Sequence, residues 1–201
     1  MVLLIAGLIL FIGAHSSRIA FESVRERFIA SWGPLAYKGL ISLASLVGLV
    51  LIIKGYADAR THPVNLWPAW AGGRHVAALL MLFSFVLVTA AYVPRNTIRA
   101  RLKHPMVLGV KLWAFAHLIA NQSLADLVLF GALLIWAVLS FRAARRRDAA
   151  ALMHPTASPA AAAAESTSRL ADAAVLIIGL LAYGAFATVL HASLIGVRPF
   201  G

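Results

Sequence analysis

The chain has 201 residues, of which 62% are hydrophobic and only 12% charged, about half the usual globular share of ~25%. It is too apolar for a disordered protein and too poor in charge for the surface of an ordinary soluble domain. Lys and Arg number 18 against 7 Asp and Glu, for a net charge of +11, and there is no Cys, which excludes disulfides, thiolate metal sites, iron–sulfur clusters and cysteine nucleophiles.

Six apolar segments follow one another, at 2–14, 35–56, 75–93, 105–120, 124–141 and 173–196. A helix rises ~1.5 Å per residue, so ~20 apolar residues cross ~30 Å of hydrocarbon. The second, third, fifth and sixth segments meet that length, and the first and fourth need a few flanking residues. The apolar runs are continuous rather than alternating, so helices are expected rather than barrel strands. The sequence therefore predicts an all-α, polytopic membrane bundle of six transmembrane helices. It divides into a five-helix core over 1–146, a flexible Ala/Pro/Ser-rich linker over 147–171, and a sixth helix with the C-terminus over 172–201.

The first segment lacks a positive leader, and its charges follow the apolar run, so it reads as a retained span rather than a cleaved signal. Between it and the second span, Ile19, Val24, Phe28 and Trp32 recur at helical spacing among charges. Arg18/Glu22 and Glu22/Arg25 are spaced to pair along an interfacial amphipathic helix. Loop charges give the orientation. Twelve basic residues fall in the loops after spans one, three and five, three fall on the other side, and Lys38, Lys54 and Lys111 lie within spans. By the positive-inside rule the odd-numbered loops face the cytoplasm and both termini the periplasm of a bacterial inner membrane. The lipid bilayer, not nucleic acid, thus accounts for the +11. Trp67 and Trp70 in an outer loop suit headgroup anchoring.

The functional candidates are polar groups at membrane depth, where each is costly. Lys38 and Lys54 are placed to snorkel to the two interfaces. His104 and Lys111 share one face of the fourth span, while Trp113, His117 and Asn121 share a nearly opposite one. Asp126 is the nearest acid in sequence to Lys111. His62 and His154 fall in loops. His15 ends the first span, His75 opens the third beside Arg74, His191 lies near the outer end of the sixth, and His117 is the most deeply embedded.

Embedded imidazoles without Cys or a carboxylate cluster suit haem b best, with Arg74, Arg18 or Lys111 placed for its propionates. Zinc, di-iron, hydrolase and nucleotide-binding signatures (H-E-x-x-H, E-x-x-H, G-x-S-x-G, the P-loop, G-x-G-x-x-G) are missing from the sequence. His75, His117 and His191 all lie toward the outer side and form one candidate ligand group.

Several stretches together resemble the NnrU family of membrane proteins. They are Gly7 to Ser16 (G-L-I-L-F-I-G-A-H-S), Tyr37 to Leu43, Arg74-His75 with Leu79 to Leu82, His104 to Ala114 (H-P-M-V-L-G-V-K-L-W-A), His117-Leu118, Ala120-Asn121, Leu124 to Leu127, and Leu194 to Val197. They cover most of the chain outside the linker.

The resemblance implies a role in the expression or assembly of nitrite and nitric oxide reductases in denitrification, with respiratory membrane proteins as partners. The family is also similar to 15-cis-zeta-carotene isomerase, a membrane haem b enzyme, which implies an alternative: cis–trans isomerisation of an apolar polyene. Two haem histidines of that enzyme match His15 and His117, making these the implied metal ligands, and His104 matches its His-Pro motif. His-Pro-x-x-x-Gly also resembles isoprenylcysteine-type methyltransferases, but the acidic residues expected there do not follow the fifth span.

Overall fold

The computed structural model describes residues 1–153 and 167–200, apart from the side chain of Arg18. Helices α1 (Val2–His15), α2 (Ser17–Ala20), α3 (Glu22–Ala59), α4 (Gly73–Tyr92), α5 (Thr97–Leu102), α6 (Pro105–Ala120), α7 (Leu124–Met153) and α8 (Arg169–Ala185) follow in order. A π-helical turn, Phe186–Leu190, then leads into α9 (His191–Ile195). Among the described residues the only β pairing is a single bridge, Asn65 to Ser123.

Among the described residues four helices are long and apolar enough to cross a membrane: Glu22–Ala59, Gly73–Tyr92, Leu124–Met153 and the run Arg169–Ile195. Val2–His15 and Pro105–Ala120 are shorter apolar helices. The expected linker is narrower than its composition suggested. Residues 147–153 continue α7, because Ala, Arg and Leu are strong helix formers, and Arg169 already opens α8. The rest of it, 154–166 with His154, lies outside the described residues.

The interfacial helix and the second span are joined in α3 but separated by a kink. Gly33 sits at φ 82, ψ 162, and Pro34 follows it. Glycine reaches that left-handed φ without strain, and proline then supplies a fixed φ for the first residue of the next helix. In the interfacial part the Glu22–Arg25 pair forms at 2.8 Å, while Phe21, Val24 and Trp32 stay exposed. The Arg18 half of the expected pairing lies outside the described residues.

The chain forms two compact units: 1–68 with 121–140, and 69–120 with 141–201. In the first, α1 packs antiparallel on α3 through close backbone approach. A Cβ added at Gly7 would stand 2.6 Å from Ile52 N, one at Gly48 2.8 Å from Phe11 N, and one at Gly55 2.2 Å from Leu4 N. Leu4, Leu8 and Ile52 fill the seam. Small residues let apolar helices reach this separation in lipid, where packing rather than water exclusion drives association.

The start of α7 joins the first unit through Asp126, which is 7% exposed. Its Oδ1 accepts from Tyr56 Oη, and its Oδ2 accepts from Ser123 N at 2.9 Å and Ser123 Oγ at 2.6 Å. Ser123 Oγ accepts in turn from Asp126 N at 3.2 Å, a reciprocal capping box that opens α7. Asp126 is thus taken up by Tyr56 and Ser123, and Lys111 finds a different neighbour (below). Asp126→Ala is expected to cost about 3 kcal/mol, since it strands the donors of two buried partners, and Tyr56→Phe about 1 kcal/mol. Thermal unfolding in detergent checks the order; equal shifts would mean that the Ser123 bonds contribute nothing.

In the second unit α4 packs antiparallel on α6, with Ser84 Oγ donating to Gly109 O at 2.8 Å. The backbone of α8 approaches α4 at Gly179, where a Cβ would stand 3.0 Å from Val86 Cα. Val86, Ala90 and Val175 form the buried cluster there, flanked by Val93 and Ile98. Two polar clasps hold the turn between α4 and α5. Asn96, 1% exposed, donates to Ala90 O and Val93 O and accepts from Arg99 N, so both its amide and its carbonyl group are engaged locally. Thr97 donates through N and Oγ1 to both oxygens of Asp172, at 2.6 and 2.7 Å, which fixes the start of α8.

Candidate functional site

Two candidate histidines share one local device. His15 closes α1, and its Nδ1 lies 2.8 Å from Phe11 O, one turn back. His117 lies in the last turn of α6, and its Nδ1 lies 2.8 Å from Trp113 O, again one turn back. A carbonyl oxygen can only accept, so Nδ1 carries the proton in both rings and Nε2 is the basic nitrogen. Helix geometry makes this arrangement because the side chain at i leans toward the carbonyl at i−4. In metal-ligating histidines such a bond from the other ring nitrogen fixes tautomer and ring direction.

His15 belongs to the first unit and is exposed. Its ring stacks on Phe11 at 4.2 Å and meets Trp136 edge-on at 5.8 Å. His117, half-buried in the second unit, is tilted against Trp113 at 5.1 Å.

His191 has the same protonation pattern by another route. Its Nδ1 meets Val197 O at 2.7 Å, beyond the left-handed Gly196 that ends α9. It follows the π-helical turn, with Phe186 edge-on at 5.8 Å. His75 and Arg74 are exposed in the first turn of α4. Asn121 lies past the end of α6, in the first unit. Among the described residues no three or more His, Cys, Asp or Glu side chains are placed to hold a metal ion. His75, His117 and His191 therefore do not gather as such a group.

The opposite face of α6 is engaged elsewhere. His104 Nε2 meets Asp148 Oδ2 at 2.9 Å, with Arg145 3.9 Å from the same oxygen. Lys111 Nζ lies over the Phe141 ring at 4.8 Å, and His104 meets that ring edge-on. His104 and Lys111 thus share a face, as their spacing requires. The acid beside His104 went unseen in the sequence because Asp148 falls in the stretch read as linker.

Whether these residues suit a haem can be tested on two features of the fold. The first is the Nδ1–H tautomer, which makes Nε2 the acceptor nitrogen at His15 and His117. The second is a pair of orphaned donors beside His15. Trp136 Nε1 and Ser140 Oγ are buried without a hydrogen-bond partner. Both features fit. Sequence reasoning overlooked Trp136 and Ser140; their spacing of four in an apolar span was the available signal. A cavity of about 220 Å³ lined by Asp58, His62, Val64 and Leu124 lies at the other end of α1 from His15. It is smaller than the ~300–1,000 Å³ usual for small-molecule sites.

A family model described as NnrU protein matches residues 3–199, nearly the whole chain. The chain belongs to the NnrU family. No curated protein and no solved structure matches it. Every candidate residue of this NnrU-family protein lies within the matched range, including His15, His117 and the two orphaned donors.

Proposed function

We propose that this NnrU-family protein is a six-span protein of the bacterial inner membrane that binds haem b and supports the assembly or expression of nitrite and nitric oxide reductases. His15 and His117 are the residues that would hold its iron, each prepared on its own helix. The observation that carries the reading is the Nδ1–H bond to the carbonyl one turn back at both residues. Haem b, when bound, supplies a redox-active iron to a chain that has no redox side chains of the Cys type. Arg74 and Lys111 remain the cationic candidates for its acidic edge.

Six spans are favoured by the way the two short helices pack. At 14 and 16 residues, α1 and α6 are about 21 and 24 Å long. Each runs antiparallel along a longer span of its own unit, α1 on α3 and α6 on α4, and so shares its depth. The excess of basic residues in the odd-numbered loops supports a topology with those loops in the cytoplasm and both termini in the periplasm.

The test is a pair of visible spectra, oxidised and reduced, of the protein purified in mild detergent after expression with ample haem. A Soret band that shifts on reduction is expected, and its absence overturns the reading. Turnover of a poly-cis carotene by the haem-loaded protein would assign an isomerase in place of the accessory role.

A further inference from the structure

Trp136 and Ser140 sit one turn apart on the same face of α7, in the unit that holds His15. Ser140 is 8% exposed, and Trp136 touches the His15 ring edge-on at 5.8 Å. Their polar atoms, Nε1 and Oγ, are buried and bonded to nothing. A buried donor without a partner is strongly disfavoured, and in folded proteins such an atom points to a missing water, ion or ligand. An indole N–H can only donate, so whatever completes Trp136 must be an acceptor. The Ser140 hydroxyl, one turn away, offers a second donor to the same region.

We infer that Trp136 Nε1–H and Ser140 Oγ–H together hold a carboxylate of the ligand bound at His15. This rests on the haem reading above and extends it. The periphery of haem b carries methyl, vinyl and propionate groups, and only the propionates accept hydrogen bonds. With His15 at the iron, a propionate is therefore the acceptor that completes both donors. Asp126, an acid on the same helix, is already used by Tyr56 and Ser123. The two residues position the macrocycle about the His15 axis. They add directional hydrogen bonds without a cation, and they satisfy the polar atoms that α7 otherwise buries alone.

The test compares two iron porphyrins on full-length protein in detergent: haem b, and iron octaethylporphyrin, which has no propionates. Variants are Trp136→Phe, which keeps the ring and removes the N–H, Ser140→Ala, and both together. Hydrogen bonds to an ionised acceptor predict an affinity for haem b about 10-fold weaker for each single change and about 100-fold weaker for the double. Affinity for iron octaethylporphyrin should move less than about 3-fold, which also shows that the variants fold. If haem b and octaethylporphyrin weaken equally, or neither weakens, the donors do not read a carboxylate, and the inference falls while the haem reading stands. If a water fills the site, haem b affinity is unchanged in all variants, with the same consequence. If the unaltered protein binds neither porphyrin, both fall together.

Discussion

His15→Ala and His117→Ala are each expected to remove haem from the purified protein or convert it from a low-spin to a high-spin spectrum. Losing an iron ligand should weaken haem binding by more than the 10–100-fold typical of losing a second-shell partner. Added imidazole should restore the low-spin bands in either variant, a result that a merely structural histidine would not give. His62→Ala should leave the spectrum unchanged, since His62 lies in a loop at the other end of α1 from His15, with its Nδ1 2.9 Å from Thr61 Oγ1. Unchanged spectra in both His15 and His117 variants would move ligation to His75 or His191, of which His191 already carries the protonation pattern a ligand needs.

The second large effect concerns the seam between α1 and α3. Gly55→Val should destabilise the protein by about 3 kcal/mol or more, because the new Cβ stands 2.2 Å from Leu4 N and a backbone atom has no rotamer by which to withdraw. Gly7→Val should act in the same direction, with its Cβ 2.6 Å from Ile52 N. In a chain of this size that corresponds to a melting temperature lower by about 10 °C. Gly13→Ala and Gly39→Ala are the controls. A Cβ at either position meets nothing within 4 Å, so both should hold or gain up to about 1 kcal/mol from helix propensity. Thermal unfolding in detergent reads all four. A Gly55→Val protein that melts with the wild type would show that α1 does not approach α3 as described.

Much of the helix layout was legible from hydropathy and punctuation. The interfacial helix and the second span read as separate segments, and the chain kinks between them, at Gly33. The Glu22–Arg25 spacing produced the pair. The 100° rotation per residue placed His104 and Lys111 together, and both meet Phe141. The motifs around His15 and His104 to His117 pointed to the NnrU family, which the match over 3–199 bears out.

Other features escaped because hydropathy does not encode them. Gly48 and Gly55 look like ordinary members of an apolar run, yet their missing side chains let α1 dock. Asp148 fell in an Arg- and Ala-rich stretch that composition could assign equally to linker or helix, and only its placement in α7 brings it to His104. Trp136 and Ser140 stand unmarked in an apolar span, since a sequence does not show whether a polar atom has found a partner.

The sequence by itself determined that this is a helical membrane protein, where its apolar segments begin and end, and which family it belongs to. Each of these follows from local chemistry: runs of apolar residues, the charges between them, short motifs. Only the tertiary structure decided which polar groups answer one another. Tyr56 with Asp126 and Thr97 with Asp172 are 70 and 75 residues apart. Such pairs form because a polar atom removed from water takes the partner that helix packing brings within about 3 Å, and chain distance does not enter that choice.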